Sequence, residues 1–197
     1  MDRRDFAKSA LVALPGLSLT NKMTMYGSNA DEFKLNYAPH FGMFENSAGK
    51  DVVDQLKFMH DQGFRSLEDN GMKGRSVKEQ ERIASAMGNM NMQMGVFVAH
   101  EIAWGKPNLT NGDVELRDKF LREIRESVDV AKRVNAKWMT VVPGFVDLSL
   151  EMAYQTANVI DALRRATEIL EPHGLVIVLE PLNWWANHAG QFLTKIP

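Results

Sequence analysis

From Phe33 onward, short apolar runs alternate with longer segments in which apolar residues recur every three or four positions. Runs of the first kind have the length and β-branched content of buried strands; the longer segments have the period of helices with one face in a core. Five strands are predicted, at 33–38, 65–69, 94–99, 137–142 and 175–180. The first helix carries Val52, Leu56 and Met59 on one face and ends at Gly63, where a residue without Cβ accepts a left-handed cap. The second opens on Ser76-Val77-Lys78-Glu79, the spacing of a capping box. A third repeats Leu116, Phe120, Ile124, Val128, Ala131 and Val134, which turns Arg117, Glu123, Arg125 and Glu126 toward solvent. The fourth repeats Ala153, Thr156, Ile160, Leu163, Thr167 and Leu170 and is ended by Pro172 and Gly174.

Strands alternating with helices specify a parallel sheet with helices packed on it. Residues 33–197 hold five such units at about 33 residues each, whereas a closed eight-unit barrel takes about 250 residues. The competing architecture is a complete five-stranded doubly wound sheet, which needs a last covering helix. After Glu180 the chain reads PLNWWANHAGQFLTKIP, with no stretch long enough to be that helix. The expected fold is therefore α/β, an incomplete TIM (β/α)8 barrel of about five βα units, truncated after strand five.

The start of the chain is different in kind. Arg3 and Arg4 precede Phe6 and Lys8, and no charge follows from Ser9 to Asn21. That stretch is shorter than the ~20 residues of a stable membrane span, and Pro15-Gly16 interrupts it. Residues 1–30 are expected to be an export signal resembling the twin-arginine kind, with cleavage after Ser28-Asn29-Ala30 and the barrel segment at 31–197. A periplasmic location follows from that reading, a cytoplasmic one from its failure.

A formal charge of −2 provides no broad cationic surface for a phosphate backbone, so no nucleic acid partner is expected. The absence of cysteine removes disulfides, thiolate ligands and cysteine nucleophiles. The chain also lacks a Gly-rich phosphate loop before a helix, an HExxH pair and a Gly-x-Ser-x-Gly elbow. A small-molecule site remains.

In a parallel barrel the active face lies at the C-terminal ends of the strands. Glu180 closes the run Leu175-Val176-Ile177-Val178-Leu179 and precedes Pro181, which ends strand pairing. A carboxylate there is costly unless a cation or hydrogen bonds meet it, so Glu180 is the first candidate for a catalytic base or a metal ligand. Glu68 ends strand two and is a candidate substrate contact; His40 and His100 follow strands one and three, where an imidazole binds hydroxyls or moves protons. Glu101 starts a loop to Gly112 that is long for its place and is a candidate lid. Trp104, Trp184 and Trp185 carry indoles able to stack on a sugar face, although simple packing is the favoured account of each one.

The motif Leu179-Glu180-Pro181-Leu182-Asn183, with the following His188-Ala189-Gly190-Gln191-Phe192-Leu193-Thr194, resembles the hydroxypyruvate isomerase family of xylose isomerase-like barrels. Gly63-Phe64-Arg65-Ser66-Leu67-Glu68 and Val141-Val142-Pro143-Gly144 are similar to that family's strands two and four. The resemblance covers about residues 33–197. It implies a divalent metal, magnesium or manganese, held by carboxylate oxygens, and a sugar or keto-acid substrate isomerised through an enediolate. On that pattern Glu180 is the first of two catalytic glutamates and a metal ligand, while Glu68, His100, Asn183, Trp185 and His188 line the substrate. The other ligands of the family come from strands six to eight. Trp184-Trp185 is bulkier than the family pattern, and an export signal is unusual for it, so another keto-sugar fits the resemblance as well as hydroxypyruvate does.

Two rivals remain: a non-catalytic sugar-binding fragment, and a hydrolase resembling endonuclease IV, which needs a basic groove and more histidines than these five. No stable membrane span is expected, and open strand edges invite homo-oligomerisation. Removal of residues 1–30 takes away four basic and two acidic residues and moves the formal charge from −2 to −4. Mass spectrometry of a periplasmic fraction is expected to find the mature N-terminus near Asp31; intact Met1 there excludes processing.

Overall fold

The computed structural model describes residues 33–196. The export-signal expectation for residues 1–30 lies outside them. Four short strands are formed, β1 (Ser66–Leu67), β2 (Gln93–Met94), β3 (Trp138–Val141) and β4 (Val176–Leu179), corresponding to predicted strands two to five. Pairs β1·β2 and β3·β4 are parallel. A parallel bridge from Val98 to Thr140 joins the two pairs, and another from His40 to Glu68 adds the end of the first predicted strand. Every neighbour in this arc is consecutive in the chain. That order belongs to a β/α barrel and excludes a doubly wound sheet, in which the strand order reverses.

Predicted strand one is the largest departure. Residues 33–37 are exposed and make no strand, and pairing is reduced to the His40–Glu68 bridge and the amide of Glu68 donating to Pro39 O at 3.1 Å. This segment has a partner on one side only among the described residues, so half of a strand's usual main-chain bonds are missing. Its Asn36 side chain instead links Ser66 Oγ and Gln93 Oε1 across the adjoining strands.

The helices cover one face of the arc. A single turn, α1 (Glu45–Ala48), leads to α2 (Val52–Asp61), α3 (Val77–Asn89), α4 (Val114–Val134) and α5 (Met152–Leu170). Asp51 and Asp113 cap α2 and α4 by accepting from two amides each. Ser76 accepts from the Glu79 amide as its spacing predicts, but the Glu79 carboxylate turns to Arg82 rather than back to the cap. Leu56, Met59, Ile83, Phe120 and Ile124 from the helices meet Leu67, Phe97, Met139 and Val141 from the strands in a core without solvent access.

The buried face of α5 is rotated from its predicted stripe. Gln155, Val159, Ala162, Ala166 and Leu170 are inside, whereas Ala153, Thr156 and Ile160 are exposed. Two alanines let the helix approach the sheet closely, and Gln155 sets its rotation. The Gln155 amide accepts from Asp147 N at 2.8 Å and donates to Asp147 O and Leu150 O at 2.9 and 2.8 Å. A hydrophobicity pattern gives a buried glutamine no weight, and the predicted stripe is displaced for that reason. Replacing Gln155 with Leu leaves Asp147 N and Leu150 O without these partners and Asp147 O with only the Leu150 amide, at about 1 to 3 kcal/mol for each group that water does not reach. Urea unfolding of Gln155→Leu is expected to show a loss of at least about 2 kcal/mol.

Candidate active site at the strand ends

Glu68 and Glu180 stand at corresponding strand ends. Glu68 follows β1, with its carboxylate 3.5 Å from Nε2 of His40 across the strand-one bridge. Glu180 follows β4 and is tied to β3 by its amide, which donates to Val141 O at 3.3 Å. The two acids influence each other: burial raises the Glu68 pKa above the usual glutamate value, His40 opposes that shift, and the negative charge of Glu180 adds to it. One carboxyl thus holds its proton more tightly than an ordinary glutamate, and a second, exposed one stands at the matching strand end. Asp69, next in the chain, is structural: it is buried, takes Arg75 Nε at 2.6 Å, and accepts from the Gly71 amide.

His100 does not serve as expected. Its ring is buried edge-on against Phe120, its Nε2 accepts from Val142 N at 3.2 Å, and its Nδ1 lies 2.9 Å from Glu101 O. A backbone amide only donates, so Nε2 is the bare nitrogen and Nδ1 carries the proton. Nε2 thereby ties the end of strand three to the end of strand four, and Nδ1 is taken by the neighbouring carbonyl, so in this structure both ring nitrogens have backbone partners. Asn183 also has local work, its Oδ1 accepting from the amides of Trp185 and Ala186 to shape the turn after Pro181. Trp185 is 80% exposed, and Trp184 is exposed beside it.

Three loops above the strand ends are bound to one another, which sequence reasoning missed. Pro107 and Gln191 each bridge to Phe145, Thr110 Oγ1 donates to Phe145 O, and Val146 N donates to Gly190 O. Gly190 has φ +84°, and a Cβ there would stand 2.1 Å from the Phe145 ring. His188 stacks on Trp104 with ring centroids 5.1 Å apart, so the loop after strand three meets the loop after strand five. The first of these loops is clamped where it begins: Glu101 N donates to Glu123 Oε2, and Lys119 pairs with the Glu101 carboxylate at 2.6 Å, holding it below its ordinary pKa. Glu123, read from sequence as a solvated charge, is therefore part of the loop anchor. No short-range signal marks these contacts, since they join residues far apart in the chain.

Among the described residues no group of three or more His, Asp or Glu side chains is arranged to hold a metal ion. Glu180 offers one carboxylate, and a complete ligand set is not present there.

A consecutive parallel arc with acids at its strand ends defines the N-terminal portion of a β/α barrel enzyme fold. The chain belongs to the xylose isomerase-like TIM barrel family, whose sequence model matches residues 56–196. No curated protein matches it at significant similarity. Among solved structures it is similar to an AP endonuclease family 2 protein from Brucella melitensis, with 19% identity, 79% of this chain and 58% of that chain covered, and TM-score 0.65. A 3-keto-D-glucoside 4-epimerase from E. coli matches with 18% identity, covering 76% of this chain and 57% of that one, at TM-score 0.59. An IolI protein with a bound zinc atom matches with 15% identity, 80% and 54% coverage and TM-score 0.58. The chain thus spans little more than half the length of these structures.

Burial, with a smaller contribution from the nearby Lys73 charge, lowers the His100 pKa from 6.5 to about 4 against the opposing pull of its backbone partners. A histidine depressed in the folded state contributes stability that is full above its unfolded value and is lost as pH falls toward the folded one. About 3 kcal/mol is expected to disappear between pH 6.5 and 4. In urea melts across that range, His100→Gln is expected to be less stable than wild type at pH 7 yet to show a flatter decline; parallel profiles contradict the assignment.

Proposed function

We propose that this chain carries one half of the active site of a sugar isomerase or epimerase. The observation that carries the reading is the pair Glu68 and Glu180 at barrel strand ends, one half-buried with a raised pKa and the other exposed to solvent. Glu180 takes a proton from the carbon next to a carbonyl, and the enediolate that results is reprotonated at the neighbouring carbon. Glu68, with His40 beside it, holds a substrate hydroxyl and its proton. Trp104, stacked on His188 in the loops after strands three and five, offers an aromatic face to a sugar.

Support comes from the family and from the keto-sugar epimerases among its structural neighbours. Hydroxypyruvate isomerisation is the narrower form of the proposal and rests on the Glu180-Pro181-Leu182-Asn183 motif. A divalent ion is part of the proposal too, on the precedent of the zinc-bound neighbour. It would polarise the substrate carbonyl, with Glu180 as this chain's contribution to its coordination. Because the described residues bring no further ligands to Glu180, a ring of strands beyond these five is required for turnover.

The test is solvent-deuterium wash-in on a panel of ketoses and hydroxypyruvate in the presence of Mn²⁺. No incorporation is expected from the 197 residues alone. Joined to three C-terminal βα units of a related keto-sugar epimerase, the chain is expected to give metal-dependent exchange, reduced at least about 100-fold by Glu180→Gln. Turnover by the 197 residues alone overturns the half-site reading, and absence of exchange in the joined form overturns the enzyme reading.

A further inference from the structure

The end of strand one, which brings His40 to Glu68, is fixed less by main-chain pairing than by side chains. On the side that faces β1, the main chain supplies the His40–Glu68 bridge and a hydrogen bond from Glu68 N to Pro39 O at 3.1 Å. The turn that follows is held from elsewhere. Gln55 of α2, itself buried, accepts from Gly42 N at 2.7 Å and donates to Gly49 O at 3.0 Å. Phe41, between His40 and Gly42, is held by Arg75.

Arg75 follows a short turn of helix (Met72–Gly74) after β1. Its own main chain is fixed: the amide donates to Met72 O, and the carbonyl accepts from the buried Gln80 side chain at 3.0 Å. From that base its Nε donates to the buried Asp69 carboxylate at 2.6 Å, and its guanidinium carbon stands over the Phe41 ring, 5.0 Å from the centroid. A guanidinium that serves only a carboxylate commonly engages it through two nitrogens. Here the bond to Asp69 is through Nε alone, and the group is shared with the aromatic ring. The contacts also close on themselves. Asp69 holds Arg75, Arg75 covers Phe41, His40 precedes Phe41 in the chain and lies 3.5 Å from Glu68, and Glu68 precedes Asp69.

Resting this on the reading of Glu68 as the holder of a substrate hydroxyl, we propose that Arg75 is a positioning residue: through the Phe41 ring it sets the end of strand one so that the His40 imidazole stands against the Glu68 carboxylate. Asp69 is the anchor of this bracket and Phe41 the link. His40 is the group that opposes the upward shift of the Glu68 pKa, so its placement governs how tightly Glu68 keeps its proton.

The test reads the His40–Glu68 contact itself and needs no turnover. In the full chain at one pH, Glu68→Gln is expected to move the nuclear magnetic resonance signals of the His40 ring, which are identified by their loss in His40→Gln. Phe41→Leu keeps the Asp69–Arg75 pair and removes the ring that Arg75 covers. In that background Glu68→Gln is expected to move the His40 signals less than half as far. Arg75→Met is expected to weaken the response equally, and also to lower stability in urea melts because the buried Asp69 carboxylate loses its partner. If Arg75 serves Asp69 alone, Phe41→Leu leaves the response intact. An undiminished response in either folded variant, or none in the wild-type chain, overturns the proposal. Deuterium exchange by the joined form plays no part in this readout, so failure of the isomerase reading and failure of the positioning role are seen separately.

Discussion

Parallel pairing in chain order imposes an alternation on every strand of this protein, and that alternation decides which residues enter the core, which stay open and where the acids gather. Met139 and Val141 of β3 turn to the helices and are buried without solvent access, while Trp138, one residue earlier than Met139, is 40% exposed. The same rule divides β4, whose Ile177 packs against the core as Val176 and Val178 remain open. A parallel sheet in a closed barrel hides both faces. Here the helix-side face is finished and the interior face is not. Apolar residues that a complete ring would surround are left as surface, and this is the physical origin of the exposed valines and of Trp138.

The same constraint brings the candidate chemistry together. Strands running in one direction deliver all their C-terminal ends to one side, so Glu68 and Glu180 meet although 112 positions separate them. The loops that leave those ends are then anchored to one another rather than left free. Phe145 is the centre of that arrangement, bridging Pro107 on one side and Gln191 on the other, and it fits only because residue 190 has no Cβ. His100 is the second fixing point. By giving both nitrogens to backbone groups it locks the ends of two strands, at the cost of being buried in its neutral form.

Legibility in the sequence tracks how local the determining physics is. The faces of α2 and α4 and the Ser76 cap of α3 are legible, because each is set by residues within a few positions of one another. The α5 face is not, since its rotation depends on the groups Gln155 bonds to rather than on hydrophobicity. Strand one is illegible for a related reason: its apolar content is right for a strand, but a strand exists only where a neighbour supplies hydrogen bonds. At the site, the two glutamates are visible from their positions at strand ends, whereas the bound state of His100 and the stack of His188 on Trp104 depend on contacts between distant segments. Residue type alone carries no sign of such contacts.

Energetics separate the two glutamates more firmly than their matching positions do. Burial and the charge of Glu180 both disfavour ionisation of Glu68, and His40 only partly offsets them. A group whose pKa is raised on folding contributes stability below the ordinary glutamate range and loses it as pH rises through the raised value. The fold therefore sets a cost on ionising Glu68 relative to an exposed glutamate. Packing has no need of such a cost, because a glutamine would fill the same space without it. The arrangement is consistent with a site in which the charge on Glu68 is relieved by the ligand that binds there: a substrate hydroxyl that donates to it, or a cation placed between the two acids. Glu180 is exposed at the mouth. Of the pair, it is the one free to accept a proton from carbon without first losing a partner in the fold.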